Sequence, residues 1–176
     1  MAFLFVATAD KTVVNTTTET TLFPSTITLA PADFVVGTSF RTSVRFYYHT
    51  TGTAPTCRFR GYLGSTTVWD TDFGGTVLTP PLATTRSLYA ELDVLTTLRV
   101  IGASPTGRCT SQGRLMFFDS AAGTGAVSGY QFIQNNGVVI DTTAASTLDI
   151  TATFGTAHTS NSCTVTGSTV EQIAPV

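Results

Sequence analysis

The chain has 176 residues, of which 42% are hydrophobic and only 11% charged, with a net charge of −2. A domain of this size buries roughly 70% of the surface its unfolded chain exposes, which argues against disorder and against dependence on a metal or disulfide staple. Its single lysine, Lys11, leaves no basic stripe to follow a phosphate backbone, and no apolar run reaches the ~18 residues of a membrane span, so neither nucleic acid nor a bilayer is expected as a partner. Charge is replaced by hydroxyl: threonine, a strand-favouring residue, makes up roughly one residue in five.

Residues 1–10, MAFLFVATAD, read as an N-terminal arm. No basic segment precedes the apolar run, which at about five residues falls short of a signal peptide, so synthesis in a reducing cytoplasm is expected. Phe3, Leu4, Phe5 and Val6 are too apolar to hang in water and too few to cross a bilayer. They either pair with the chain's own sheet or cover the edge of a neighbouring subunit, which makes them the candidate subunit interface.

Residues 11–176 read as one domain. Strand-like runs occur at 11–15, 26–30, 41–49, 57–63, 67–73, 112–118, 129–133, 137–141, 147–154 and 163–172, separated by turn-rich pieces such as TTGTAPT, FGGT, GASPTG and QNNG. In 41–49, Val44, Phe46 and Tyr48 alternate with Arg41, Ser43, Arg45 and Tyr47. The one segment with a helical alternative is 87–102. There Leu88, Ala90, Leu92, Val94, Leu98 and Val100 share a strand face broken only by Thr96, a longer match than the helical stripe, so strand is expected. Three glutamates and one lysine leave almost no material for the charge pairs that support exposed helices. The fold class is therefore all-β: an antiparallel sandwich, jelly-roll-like, of about ten short strands with little or no helix.

The densest charge lies in CRFRGYLGSTTVWDTDF, residues 57–73. A three-residue loop at Gly64, Ser65 and Thr66 would set Arg60 against Asp70, Arg58 against Asp72 and Tyr62 against Val68. Cys57, Phe59, Gly61, Trp69, Thr71 and Phe73 would then form the core face. A two-residue turn would carry Asp70 to the apolar side, at a desolvation cost. Arg58, Arg60, Asp70 and Asp72 are accordingly read as a structural ion-pair ladder, with no catalytic role: both carboxyls would stay ionised, whereas acid–base work needs one kept protonated.

Elsewhere chemistry is sparse. His49 and His158 fall in or beside loops without metal-ligand spacing, and no nucleophile elbow is present. Cys57, Cys109 and Cys163 lie far apart and read as buried thiols, with one bridge plus a spare thiol as the alternative. No enzyme, cofactor or metal is expected. Tyr47, Tyr62 and Tyr89 fall on outward faces and suit either a subunit interface or contact with a carbohydrate ligand.

Three phrases, NTTTETTLF, FYYHTTGTAPTCRFRGYLGSTTVWDT and VVIDTTAASTLDITATFGTAHTSNSCTVT, give the chain a likeness over about residues 10–172. It resembles small all-β virion proteins of tailed bacteriophages. The resemblance implies a homotrimer on the virion, made in the host cytoplasm. In the version favoured by the absence of a fibrous shaft, the trimer is a decoration or cement protein on the capsid surface with the major capsid protein as its partner. In the other version it is a receptor- or carbohydrate-binding module of a tail or fibre, with a glycan receptor as ligand. The resemblance supplies no catalytic residue.

Overall fold

The computed structural model describes residues 2–50, 56–72, 87–119 and 126–175. Twelve strands lie in them: β1 (Ala2–Val6), β2 (Lys11–Val14), β3 (Thr20–Thr21), β4 (Ile27–Leu29), β5 (Ser39–His49), β6 (Cys57–Leu63), β7 (Thr66–Asp70), β8 (Leu88–Val100), β9 (Arg108–Asp119), β10 (Ala126–Val139), β11 (Ser146–Phe154) and β12 (Ser162–Ile173). A single 3-10 turn, Pro31–Asp33, is the only helical piece among the described residues. No helix among them is long and apolar enough to cross a membrane.

The strands form two antiparallel sheets packed as a sandwich. The larger has the order β1-β12-β5-β8-β9-β10, with β2 beside β1 on the same flank of β12. The smaller runs β3-β11-β6-β7, with β4 also on β11. The chain changes sheet between β2 and β3, between β4 and β5, between β5 and β6, between β7 and β8, and on either side of β11. Strands far apart in sequence are thereby brought side by side.

Period-two burial drives this arrangement. On β5, Val44, Phe46 and Tyr48 have no exposed surface while Arg41, Ser43, Arg45 and Tyr47 face outward, as their alternation indicates. On β8, Leu88, Ala90, Leu92, Val94 and Leu98 are buried, which settles 88–100 as one strand, but Val100, expected on the same face, follows a register shift and is exposed. Thr96, the break in that pattern, is buried too, its hydroxyl 2.9 Å from that of Ser111 on β9. A buried hydroxyl costs little once it has such a partner.

Aromatic rings bridge the two sheets. Phe46 meets Phe59 with centroids 5.5 Å apart, Tyr48 stacks on Phe154 at 6.1 Å, and Trp69 stacks on Phe132 at 5.1 Å. Each pair joins a strand of the larger sheet to one of the smaller, and fully burying one such side chain contributes about 1.5–3 kcal/mol.

One expectation about chain organisation needs correction. Residues 129–133 and 137–141, read as separate strands around a QNNG turn, belong largely to one strand, β10. Between the pairs Gln134↔Ser111 and Val138↔Cys109 its register slips, and Gly137 takes φ 64°, so the turn signal is used as a bulge. The N-terminal arm takes the first of its two expected placements. It is β1, paired with β12 of its own chain, with Leu4 and Phe5 packed against the core. Phe3 and Val6 stay 62% and 55% exposed on the outer side.

Candidate functional site

The charged hairpin folds through a two-residue turn, Gly64 and Ser65, with Gly64 at φ 60° and Leu63 facing Thr66. The expected three-residue loop is therefore wrong, and of the two expected pairs only Arg60 facing Asp70 stands in the ladder, while Arg58 reaches chiefly to Asp70 and only at 3.4 Å to Asp72. Tyr62 pairs with Thr67, the register then shifts, and from Gly61↔Trp69 to Arg60↔Asp70 the ladder has the anticipated alignment. One extra residue on β7 lets both Val68 and Trp69 turn inward and returns Asp70 to the outer face. The desolvation cost that counted against a short turn is avoided by the bulge. Phe73, expected on the core face, lies outside the described residues.

Asp70 is the centre of the network. Arg58 Nε donates to its two oxygens at 2.9 and 3.0 Å and Arg58 Nη2 at 2.5 Å, while Arg60 Nε donates at 3.1 Å. Arg58 Nη1 also lies 3.4 Å from Asp72 Oδ2. The sequence reading did not include Glu19, which extends the chain of bonds. Its Oε2 accepts from Arg60 Nη1 at 2.7 Å, and its Oε1 accepts from the Tyr62 hydroxyl at 2.8 Å and from Thr151 Oγ1 at 2.5 Å. Burial pushes the Asp70 carboxyl up, but the bonds from Arg58, the Asp72 amide and Arg60 outweigh it and hold the group below its usual range. Burial likewise opposes the ionised Glu19, and Thr151, Tyr62 and Arg60 prevail. A carboxyl held ionised by two arginines is a poor proton donor, so this arrangement fastens three strands and is unsuited to acid–base chemistry.

Tyr62 is thus committed to Glu19 on the smaller sheet, apart from the other two tyrosines. Tyr47 and Tyr89 stand directly opposite on β5 and β8, with ring centroids 5.8 Å apart, and Tyr89 continues to Phe118 on β9 at 6.1 Å. The structure therefore brings together two of the three tyrosines and adds Phe118, making one aromatic row across three strands of the larger sheet's outer face.

The same face carries its own ion pairs. Arg45 Nε lies 3.1 Å from Glu91, and Arg45 Nη1 lies 3.2 Å from Asp93, which also accepts from Ser43 Oγ at 2.6 Å and stands 3.4 Å from Arg114. Burial raises the Asp93 carboxyl, and Ser43, Arg45 and Arg114 together bring it below its usual range.

The histidines meet at one residue. His49 Nδ1 is 2.8 Å from the Ser160 carbonyl, and His158 Nδ1 accepts from the Ser160 amide at 3.1 Å. His49 ties the 156–161 turn to the end of β5, and His158 closes a bond within the turn. Cys57, Cys109 and Cys163 are buried free thiols; burial pushes Cys109 up to about 12 and raises Cys57 and Cys163 well above the usual thiol range. Among the described residues no group of three or more His, Cys, Asp or Glu side chains is placed to hold a metal.

Comparison with protein-family models finds no match, and a search of curated proteins finds no relative. The likeness to all-β virion proteins is met at the level of the fold, two antiparallel sheets in a sandwich, while no family or relative ties the chain to bacteriophage.

Proposed function

We propose that the chain is a structural virion protein, a decoration or cement protein that binds as a homotrimer across joints between major capsid subunits and takes no part in catalysis. The observation that carries this reading is the flank of the larger sheet. There β1 and β2 end the sheet, and Phe3, Val6 and Val14 project outward with 62%, 55% and 49% of their surface exposed. An open strand edge bordered by apolar side chains is suited to extending a partner's sheet and to burying against it. Each trimer would offer several such edges at once, so modest individual contacts multiply into strong retention on a shell. Mass spectrometry of purified particles of the virus that encodes the chain tests it. A fixed ratio to the major shell protein is expected, and absence from the particles would contradict it.

A second reading, a carbohydrate-binding module of a tail or fibre, is favoured by the Tyr47–Tyr89–Phe118 row, whose rings lie on an outer face where sugar rings could stack.

A further inference from the structure

The outer face of the larger sheet is hollowed by a groove of about 600 Å³, within the roughly 300–1,000 Å³ common for ligand clefts. Cross-strand pairing places its lining in two neighbouring rows. One runs Glu171, Arg41, Leu95, Gln112, Ile133 over β12, β5, β8, β9 and β10, and the other runs Ser43, Asp93, Arg114, Gln131.

This groove differs from the charged hairpin in what its polar groups are doing. In the hairpin every charge has a partner. In the groove, Glu171 Oε2 is shut off from water without a hydrogen-bond partner, although Arg41 stands beside it on the next strand. Arg41 is exposed and its side chain holds no ion pair or hydrogen bond among the described residues; the amides of Gln112 and Gln131 are likewise unbonded and exposed. Arg114 has 59% of its side chain exposed and, among the described residues, makes only the 3.4 Å contact with Asp93. A buried acceptor left without a donor is costly, and a ligand hydroxyl would relieve it.

The chemistry of the lining selects the occupant. Arg41, Arg45 and Arg114 line the groove with Asp93 and Glu171, and Glu91, paired to Arg45 at its margin, brings the charge to zero, so there is no net charge to attract an ion. Its guanidinium and amide donors need acceptors, while the Glu171 carboxylate needs a donor. A sugar hydroxyl is both. A sulfated or carboxylated glycan would bring an anion against Asp93 and Glu171. A peptide would find its backbone partners at a sheet edge, away from this face. Along β5, Tyr47 lies six residues from Arg41, ~20 Å in an extended strand. A ligand reaching both must be an oligomer lying along the strands.

We propose that this face binds a neutral oligosaccharide, one ring packed on Tyr47 and Tyr89 and the hydroxyls beyond it taken by Arg41, Gln112, Gln131 and Glu171. This inference rests on the second reading of function and gives it a site. The test is a glycan array carrying neutral and acidic oligosaccharides, followed by titration calorimetry of the best neutral binder against the folded wild type, Arg41→Ala, Glu171→Ala, Tyr89→Ala and, on the opposite sheet, Thr67→Ala. Circular dichroism and melting confirm each fold. Neutral glycans should bind, and each of the first three substitutions should weaken Kd about tenfold or more. Thr67→Ala should leave Kd unchanged. Silence across the whole array would overturn the carbohydrate reading together with this site. Binding of neutral glycans that survives all three groove substitutions would overturn the site and leave the reading standing. Selective binding of acidic glycans would overturn the assignment of ligand class.

Discussion

Arg58 holds Asp70 more closely than Arg60 does, through Nε at 2.9 and 3.0 Å and Nη2 at 2.5 Å against a single 3.1 Å contact, although the strand ladder sets Arg60 opposite Asp70. Arg60 is drawn sideways to Glu19, at 2.7 Å. Asp70 therefore belongs to a network, and pairwise logic fails for it. Exchanging charges in Arg60→Asp with Asp70→Arg, which would restore an isolated pair, is expected to leave the protein at least as unstable as either single change. The new arginine would face Arg58, and the new aspartate would face Glu19. Denaturant unfolding of the four-member cycle measures this; recovery of most of the lost stability would show that Arg60 and Asp70 act as an independent pair.

Two carboxylates of the smaller sheet respond to pH in opposite senses. Asp70 is held below its ordinary range, so its stabilisation is complete above the unfolded value near 4 and is lost as pH falls through the lower folded value. Asp149 is raised by burial, a cost only partly relieved by the Thr21 hydroxyl that donates to it at 2.5 Å. Its ionised form penalises folding at neutral pH, and that penalty disappears as pH falls below the unfolded value. Asp149→Asn is expected to raise the melting temperature at pH 7 and to have little effect near pH 3.5, whereas Asp70→Asn lowers it at pH 7 and converges on wild type in acid. Calorimetric melting of both variants across this range checks the signs.

Gly61 has no room for a side chain. A Cβ there would lie 2.0 Å from Trp69 Nε1 and 2.2 Å from Cε2, because the indole lies across the glycine on its way to Phe132. Gly61→Ala is expected to cost about 2–3 kcal/mol by forcing the ring out of its site. The chain has one tryptophan, so its fluorescence reports the ring directly. Emission should shift to longer wavelength in the folded variant, and an unchanged spectrum with unchanged stability would show that the indole is not seated there.

The three cysteines should be silent in the native state. Each is fully enclosed, and burial holds the reactive thiolate out of reach at neutral pH. A thiol reagent is expected to label none of them in folded protein and all three in denaturant without reductant. Fewer than three in denaturant would reveal a bridge.

How much of this was legible beforehand follows from the range of the interactions. Alternation along β5 and β8 is a property of neighbouring residues, and it identified both strands and their buried faces except at Val100, which follows a register shift after Leu98 and is 41% exposed. The facing of Arg60 and Asp70 was legible because the hairpin is local. Its turn was misread because a short turn plus a bulge at Val68 gives the same alignment beyond Gly61 as a longer loop. Glu19 was missed for a different reason. It lies 41 residues from Arg60 and 132 from Thr151, and only the placement of β3 beside β11 brings it over them. A lone acid in the threonine run NTTTETT was the available signal. The aromatic row and the Arg41–Glu171 neighbourhood depend on how β12, β5, β8 and β9 align, which no single strand encodes.

The central functional claim is that this sandwich fastens shell subunits together. Purified protein titrated onto expanded, empty capsids of the virus that encodes it, with bound copies counted by sedimentation, tests this most directly. Saturable binding at a fixed number of copies per shell, weakened by Phe3→Asp with Val6→Asp, is the predicted result. Shells that take up no protein at saturating concentration would contradict it.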